Sequence, residues 1–166
     1  HPSNNITSSG TGTMASGYSA GNGIATVSST GSGSHAFGYS GGSSGGGTAT
    51  ITSTSNGSFA AGYAQAAFGG EAGNTSVLQA TNSGSIAMGY SAASAAAGSV
   101  FTSSGLGSVA LGYAVAGTLQ ATGNGSVAIG QNVQATANNA LALGLTIANS
   151  TASTFNVGFG QVDFKV

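Results

Sequence analysis

One block recurs eight times along the chain, and inside it no copy slips by a single residue. Each copy opens on an apolar residue: Ile6, Val27, Ile51, Leu78, Phe101, Leu119, Val133 or Ile147. Seven positions on stands Ser, Thr or Ala, and eleven positions on stands a glycine: Gly17, Gly38, Gly62, Gly89, Gly112, Gly130, Gly144 or Gly158. After each glycine comes Tyr, Gln, Leu or Phe. Insertions fall only between blocks, as stacked repeats allow on a loop-bearing edge. Such a chain builds its core by stacking neighbours, because one short repeat cannot bury its own apolar face.

Inside the block the hydrophobic period is two, which is the period of a strand. Numbering the opening residue zero, positions one and three are polar, as in Thr52/Thr54, Gln79/Thr81 and Gln120/Thr122. Positions eight and ten are mostly large and apolar, for example Phe59/Ala61, Ile86/Met88 and Val109/Leu111, and alanine stands between them in seven copies. The second strand thus reads large–Ala–large–Gly, with bulk on one face and a methyl on the other. Glycine and β-branched residues dominate and no helical period survives. The expected fold is all-β: a parallel β-roll of about eight coils over residues 1–159, the shortest 14 residues long, followed by an extension strand over 160–166.

The glycines at position eleven are expected at corners, where φ is unusual or another backbone comes close. Spacings between them are 21, 24, 27, 23, 18, 14 and 14, so five insertions follow the aromatic position and stack on one edge. The long stretches Ser40 to Ala49 and Ala64 to Ser76 are expected as loops. A 14-residue coil encloses few side chains. Its apolar stripe, Val109, Leu111, Val127, Ile129, Leu141, Leu143, Phe155 and Val157, is therefore expected in the core or against another copy of the chain.

Composition excludes several functions. The chain has 166 residues, and its charged side chains are Glu71, Asp163 and Lys165 alone. Without Lys/Arg patches it has no electrostatic basis for nucleic-acid or anionic-membrane binding, and no apolar run reaches the length of a membrane helix. Apolar residues make up 40%, too many for disorder driven by charge. One Asp and one Glu leave neither a paired-carboxylate site nor a Ser/His/Asp set, so no enzyme is expected. His1 and His35 fall short of a metal site, and no cofactor is expected. Zero Cys excludes a disulfide framework. The start at His1-Pro2 suggests a processed N terminus or a fragment. Asn-x-Ser/Thr triplets at Asn5, Asn56, Asn74, Asn124 and Asn149 are possible glycosylation sites, at about the frequency this composition produces by chance.

The C-terminal copies read Ser126-Val127-Ala128-Ile129-Gly130, a short corner, Gln134-Ala135-Thr136, a second corner, then Ala140-Leu141-Ala142-Leu143-Gly144. This resembles the head repeat of trimeric autotransporter adhesins, the YadA-like family, strongly over 108–145 and more loosely from Ile6 to Phe159; phage and virus fibre repeats are similar. The resemblance implies a parallel β-roll, three chains around an axis and binding to host matrix or other surfaces. The family's coiled-coil stalk and membrane barrel have no counterpart here, and the long Gly/Ser/Ala insertions depart from its compact heads. The expected protein is a trimeric surface scaffold, extracellular, on a cell or on a virion, whose partners are identical subunits and possible host matrix or glycans. A self-assembling filament or fibre subunit is the alternative, and an ice-binding solenoid comes third.

Two rows remain open between roles. Tyr18, Tyr39, Tyr63, Tyr90 and Tyr113 form a ladder one residue past each glycine, either ligand-facing platforms or a cover for the core edge. The Ser/Thr row at position three, from Ser9 to Ser150, is either ordinary β-propensity or a hydroxyl array.

Overall fold

The computed structural model describes residues 4–42, 46–66, 74–94 and 97–158. Sixteen strands follow one another. They are β1 (Asn4–Ser8), β2 (Met14–Gly21), β3 (Ile24–Ser29), β4 (His35–Gly42), β5 (Thr48–Ser53), β6 (Phe59–Gln65), β7 (Thr75–Ala80) and β8 (Ile86–Ala92). The chain continues with β9 (Ser99–Ser103), β10 (Val109–Val115), β11 (Thr118–Ala121), β12 (Val127–Gln131), β13 (Gln134–Ala135), β14 (Leu141–Leu145), β15 (Ala148–Asn149) and β16 (Phe155–Gly158). Odd strands stack in order into one eight-stranded sheet and even strands into another. Pairing is parallel throughout, and like block positions face each other: Ala36 pairs with Ala60, Ala60 with Ala87, and Ala87 with Ala110. Each block is one coil, so the expected parallel β-roll is the fold.

The interior is made by the small residues. Position-nine alanines from Ala36 to Ala142 are fully buried, opposite fully buried Val27, Ile51, Leu78, Phe101, Leu119 and Val133. The large residues at positions eight and ten point the other way: Val109, Leu111, Val127, Ile129, Leu141, Leu143 and Val157 are only half-buried, and Phe155 is half-exposed. They therefore lie outside the coil's core. The sheets close on each other too tightly for bulk on both inner faces, and the opening residue of each block takes the available space.

The glycines expected at corners lie within strands. Gly62, for instance, is inside β6 with φ +144°, and a Cβ there would meet the backbone of Gly89 in the next coil. Gly158 departs from the row; a Cβ there would meet the Ile147 side chain instead. The true turns inside each coil occur at block position six. Gly12, Gly33, Gly57, Gly84, Gly107 and Gly125 occupy it with φ between +62° and +67°, and Asn139 and Ser153 take the same left-handed conformation at +55° and +58°. Each turn hangs on the one before it: the Gly57 N–H donates to the Ser32 carbonyl at 2.9 Å and the Gly84 N–H to Asn56 at 3.0 Å.

The insertions do more than decorate an edge. β2 and β4 have 8 residues while β12 and β14 have 5, so the roll is broader towards its N-terminal end. Ser40, Ala49, Ala64, Ala66 and Ser76, all expected in loops, are fully buried in the widened part. The Ser40 hydroxyl donates to the Ala49 carbonyl at 2.6 Å, which lets a polar side chain occupy this interior. The tail 160–166 lies outside the described residues.

A second interior row pairs positions two and seven. Ser29–Ser34, Ser53–Ser58 and Ser103–Ser108 join hydroxyl to hydroxyl at 2.7 Å, all buried. In the sixth coil Ala121 replaces the first partner, and the Ser126 hydroxyl is buried with no bond. An unmade buried bond costs more than a made one contributes. Ser126→Ala is therefore expected to leave the thermal midpoint unchanged or raise it. Ser108→Ala, which breaks a made pair, is expected to lower stability by about 1–2 kcal/mol. Equal midpoints for the two variants would contradict this account.

Candidate functional site

The coil has two outer faces, and they differ in chemistry. The even-numbered sheet turns block positions eight, ten and twelve outward, in three rows along the stack. Strand geometry gives this face roughly 34 Å by 13 Å, about 450 Å² in plan. Met14, Tyr18, Met88, Tyr113, Leu145 and Phe155 are each at least 41% exposed on it. The largest apolar patch of a monomer is commonly about 300–600 Å² and often functional, which makes this face the candidate surface. The described residues carry no charged side chain, so nothing on this face opposes burial by net charge.

At its N-terminal end the patch is aromatic. His35 takes a position-eight slot and stacks on Phe37 at 6.0 Å, while Phe37 meets Phe59 at 5.8 Å. His35 is thus on the outer face rather than inside the coil. His1, Glu71, Asp163 and Lys165 lie outside the described residues. Among the described residues no group of three or more His, Cys, Asp and Glu gathers, and no pocket opens.

The tyrosine ladder is the position-twelve row of this face. Ring centroids follow at 5.6, 4.7, 5.0 and 4.8 Å from Tyr18 to Tyr113, with consecutive planes 7–18° apart. Each inner ring therefore has both faces covered by its neighbours. Three of the five proposed platforms, Tyr39, Tyr63 and Tyr90, have no ring face left for a ligand; Tyr18 and Tyr113 end the row, and Tyr113 is followed in register by Gln131. The Tyr63 hydroxyl donates to Gln65 Oε1 at 2.9 Å. Burial, then the neighbouring Tyr39 and Tyr90 phenols, push the Tyr63 phenol above its ordinary value. The ladder acts as a seam that locks the widened coils together, each stacked pair adding to burial.

The odd-numbered sheet turns Thr, Ser and Gln outward together with Ile24, Val77 and Val100, of which Ile24 is 47% and Val100 39% exposed. Gln79 and Gln120 lie along the stack instead of projecting: Gln79 Nε2 donates to Thr102 Oγ1 at 3.2 Å, and Gln120 Nε2 to Gln134 Oε1 at 3.0 Å.

Of the glycosylation triplets, Asn149 is excluded by the structure. Its side chain is 1% exposed, donates to the Leu141 and Thr154 carbonyls at 2.9 Å each, and accepts from the Thr154 hydroxyl. It bridges the last coil in place of a serine pair. Asn74 is half-buried and donates to the Ser94 carbonyl at 2.8 Å. Asn5, Asn56 and Asn124 are exposed.

The sequence reading missed two sets of structural residues, the left-handed turn position and the interior serine pairs. Both left a signal. Glycine stands six residues after the opening residue in six copies, and Ser occupies both positions two and seven in three.

Fold and surfaces together make this chain a parallel β-solenoid of two-strand coils. No family model, curated protein or solved structure matches it.

Proposed function

We propose that the chain is a non-enzymatic structural and adhesive module of an extracellular, cell or virion surface. It associates with identical chains through the outer face of the even-numbered sheet and presents its polar face and connecting segments for attachment. One observation carries this reading: three rows made mostly of large apolar and aromatic side chains, broken at Ser16, His35, Ala61 and Gln131, run along the outside of the roll, while the interior is filled by alanine, serine and one apolar row. A self-complementary, uncharged sheet face is best covered by another copy of itself, because the same small set of residues recurs at each level and stacks in register. Three chains per assembly follow from the resemblance to adhesin heads, not from the face alone.

Light scattering of the purified chain at several concentrations tests the reading. A fixed mass of three chains supports it. A single-chain mass at all concentrations overturns the assembly, and open-ended growth replaces it with the filament.

A further inference from the structure

The outer face of the odd-numbered sheet has a property that assembly through the other face does not use. Strand β5 sends Thr48, Thr50 and Thr52 outward, with Thr54 directly after it, while Ala49, Ile51 and Ser53 point into the coil. Thr26 pairs with Thr50, and the Thr30 N–H bonds to the Ser53 carbonyl, bringing Thr30 beside Thr54. Along β5 the threonines therefore repeat at about 6.6 Å, and across to β3, about 4.8 Å away, Thr48, Thr50 and Thr52 face Ile24, Thr26 and Ser28, so the grid is one of hydroxyls with Ile24 at its border. None of the six threonine hydroxyls bonds to another group of the protein among the described residues.

Three physical features make this array more than polar surface. Threonine is β-branched, so its χ1 is stiff and its hydroxyl and methyl are held in place before any contact. Pairing is parallel and in register from β1 through β3 and β5 to β7, so like positions stay in rows along the roll. Among the described residues the face has no charged side chain to hold its own tightly bound hydration shell.

We infer that the threonine face of the broad end binds ice. A partner that matches unfilled hydroxyls repeating in two directions, without charge, must itself be a neutral hydrogen-bonding lattice, and ice repeats on the same few-ångström scale. A crystalline polysaccharide is the other lattice of this kind, but sugar rings are gripped on aromatic faces, and this face has none. The patch is bounded towards the C terminus, where Gln79 lies over Thr102 and leaves it 7% exposed. The inference is independent of the proposed assembly, because it uses the opposite sheet.

The test is thermal hysteresis and uptake of the fluorescently labelled full chain into a growing ice hemisphere. The wild-type chain is expected to shape ice crystals and enter the ice. Thr52→Tyr, which raises a ring above the array, is expected to lower hysteresis at least tenfold with an unchanged circular dichroism spectrum and light-scattering mass. Thr136→Tyr, on the narrow end, is expected to keep it. Exclusion of the wild-type chain from ice overturns the inference. So does full activity in Thr52→Tyr, or sedimentation with crystalline cellulose or chitin in place of ice uptake. A folded, wild-type-mass Thr52→Tyr separates failure of this inference from failure of the assembly.

Discussion

Gly62→Ala is expected to unfold the middle of the roll, at a cost of at least about 4 kcal/mol. At φ +144° the residue occupies a region that a side chain forbids in an extended strand. The added methyl would also fall on the carbonyl of Gly89, which belongs to the next coil's backbone and has no rotamer by which to yield. The same clash recurs along the row, from Gly38 against Gly62 to Gly130 against Gly144, so relief at one coil shifts the problem to the next. Forcing the backbone costs about 1–2 kcal/mol, and each parallel bond broken to make room costs about 1 kcal/mol more. In a solenoid that stability is the coupling between neighbours, so losing it divides the stack. Gly57→Ala provides the control. Gly57 also has positive φ, at +62°, but a Cβ there meets nothing within 4 Å. Its cost is the left-handed conformation alone, about 1 kcal/mol. Thermal denaturation followed by circular dichroism separates the two, and equal midpoints would refute the close-approach account.

The contrast between those glycines also shows how far the sequence could be read. The strict block fixed strand number, parallel register and repeat length, because a period of two inside a period of fourteen or more leaves little choice. It did not fix which side of the second strand faces in. Large residues on one face and alanine on the other normally mean that the large side is core. Here the interior is too narrow: Phe101 or Leu119 from the first strand already fills it, and its room is the space the strand glycine leaves empty, as the nearness of a Gly89 Cβ to the Phe101 ring shows. The turn glycines at position six were hidden by abundance, since 31 glycines make any one row unremarked until φ is known. The burial of Asn149 was invisible for another reason. A side chain that completes four hydrogen bonds inside the last coil looks, in sequence, like any Asn before Ser-Thr. The candidate surfaces fared similarly: the tyrosine row was legible, but not the stacking that closes its inner rings to ligands.

Val127→Asp and Ala128→Asp are expected to fail in opposite ways although the residues are adjacent. Val127 stands on the outer apolar face, paired between Val109 and Leu141. A carboxylate there remains hydrated in a single chain and becomes buried only when another copy covers the face. With no cation among the described residues to meet it, that burial costs several kcal/mol per chain. The expected result is a native-like circular dichroism spectrum and a light-scattering mass of one chain; Leu141→Asp is expected to do the same. Ala128 lies fully buried between Ala110 and Ala142, inside the coil. A carboxylate there has neither water nor space, so the chain itself is expected to lose its β-sheet spectrum whatever its oligomeric state. If Val127→Asp keeps the wild-type mass above one chain, the outer face is not where copies meet and the proposed assembly falls. If Ala128→Asp folds normally, the inward alanine row is wrong, and with it the assignment of the two faces.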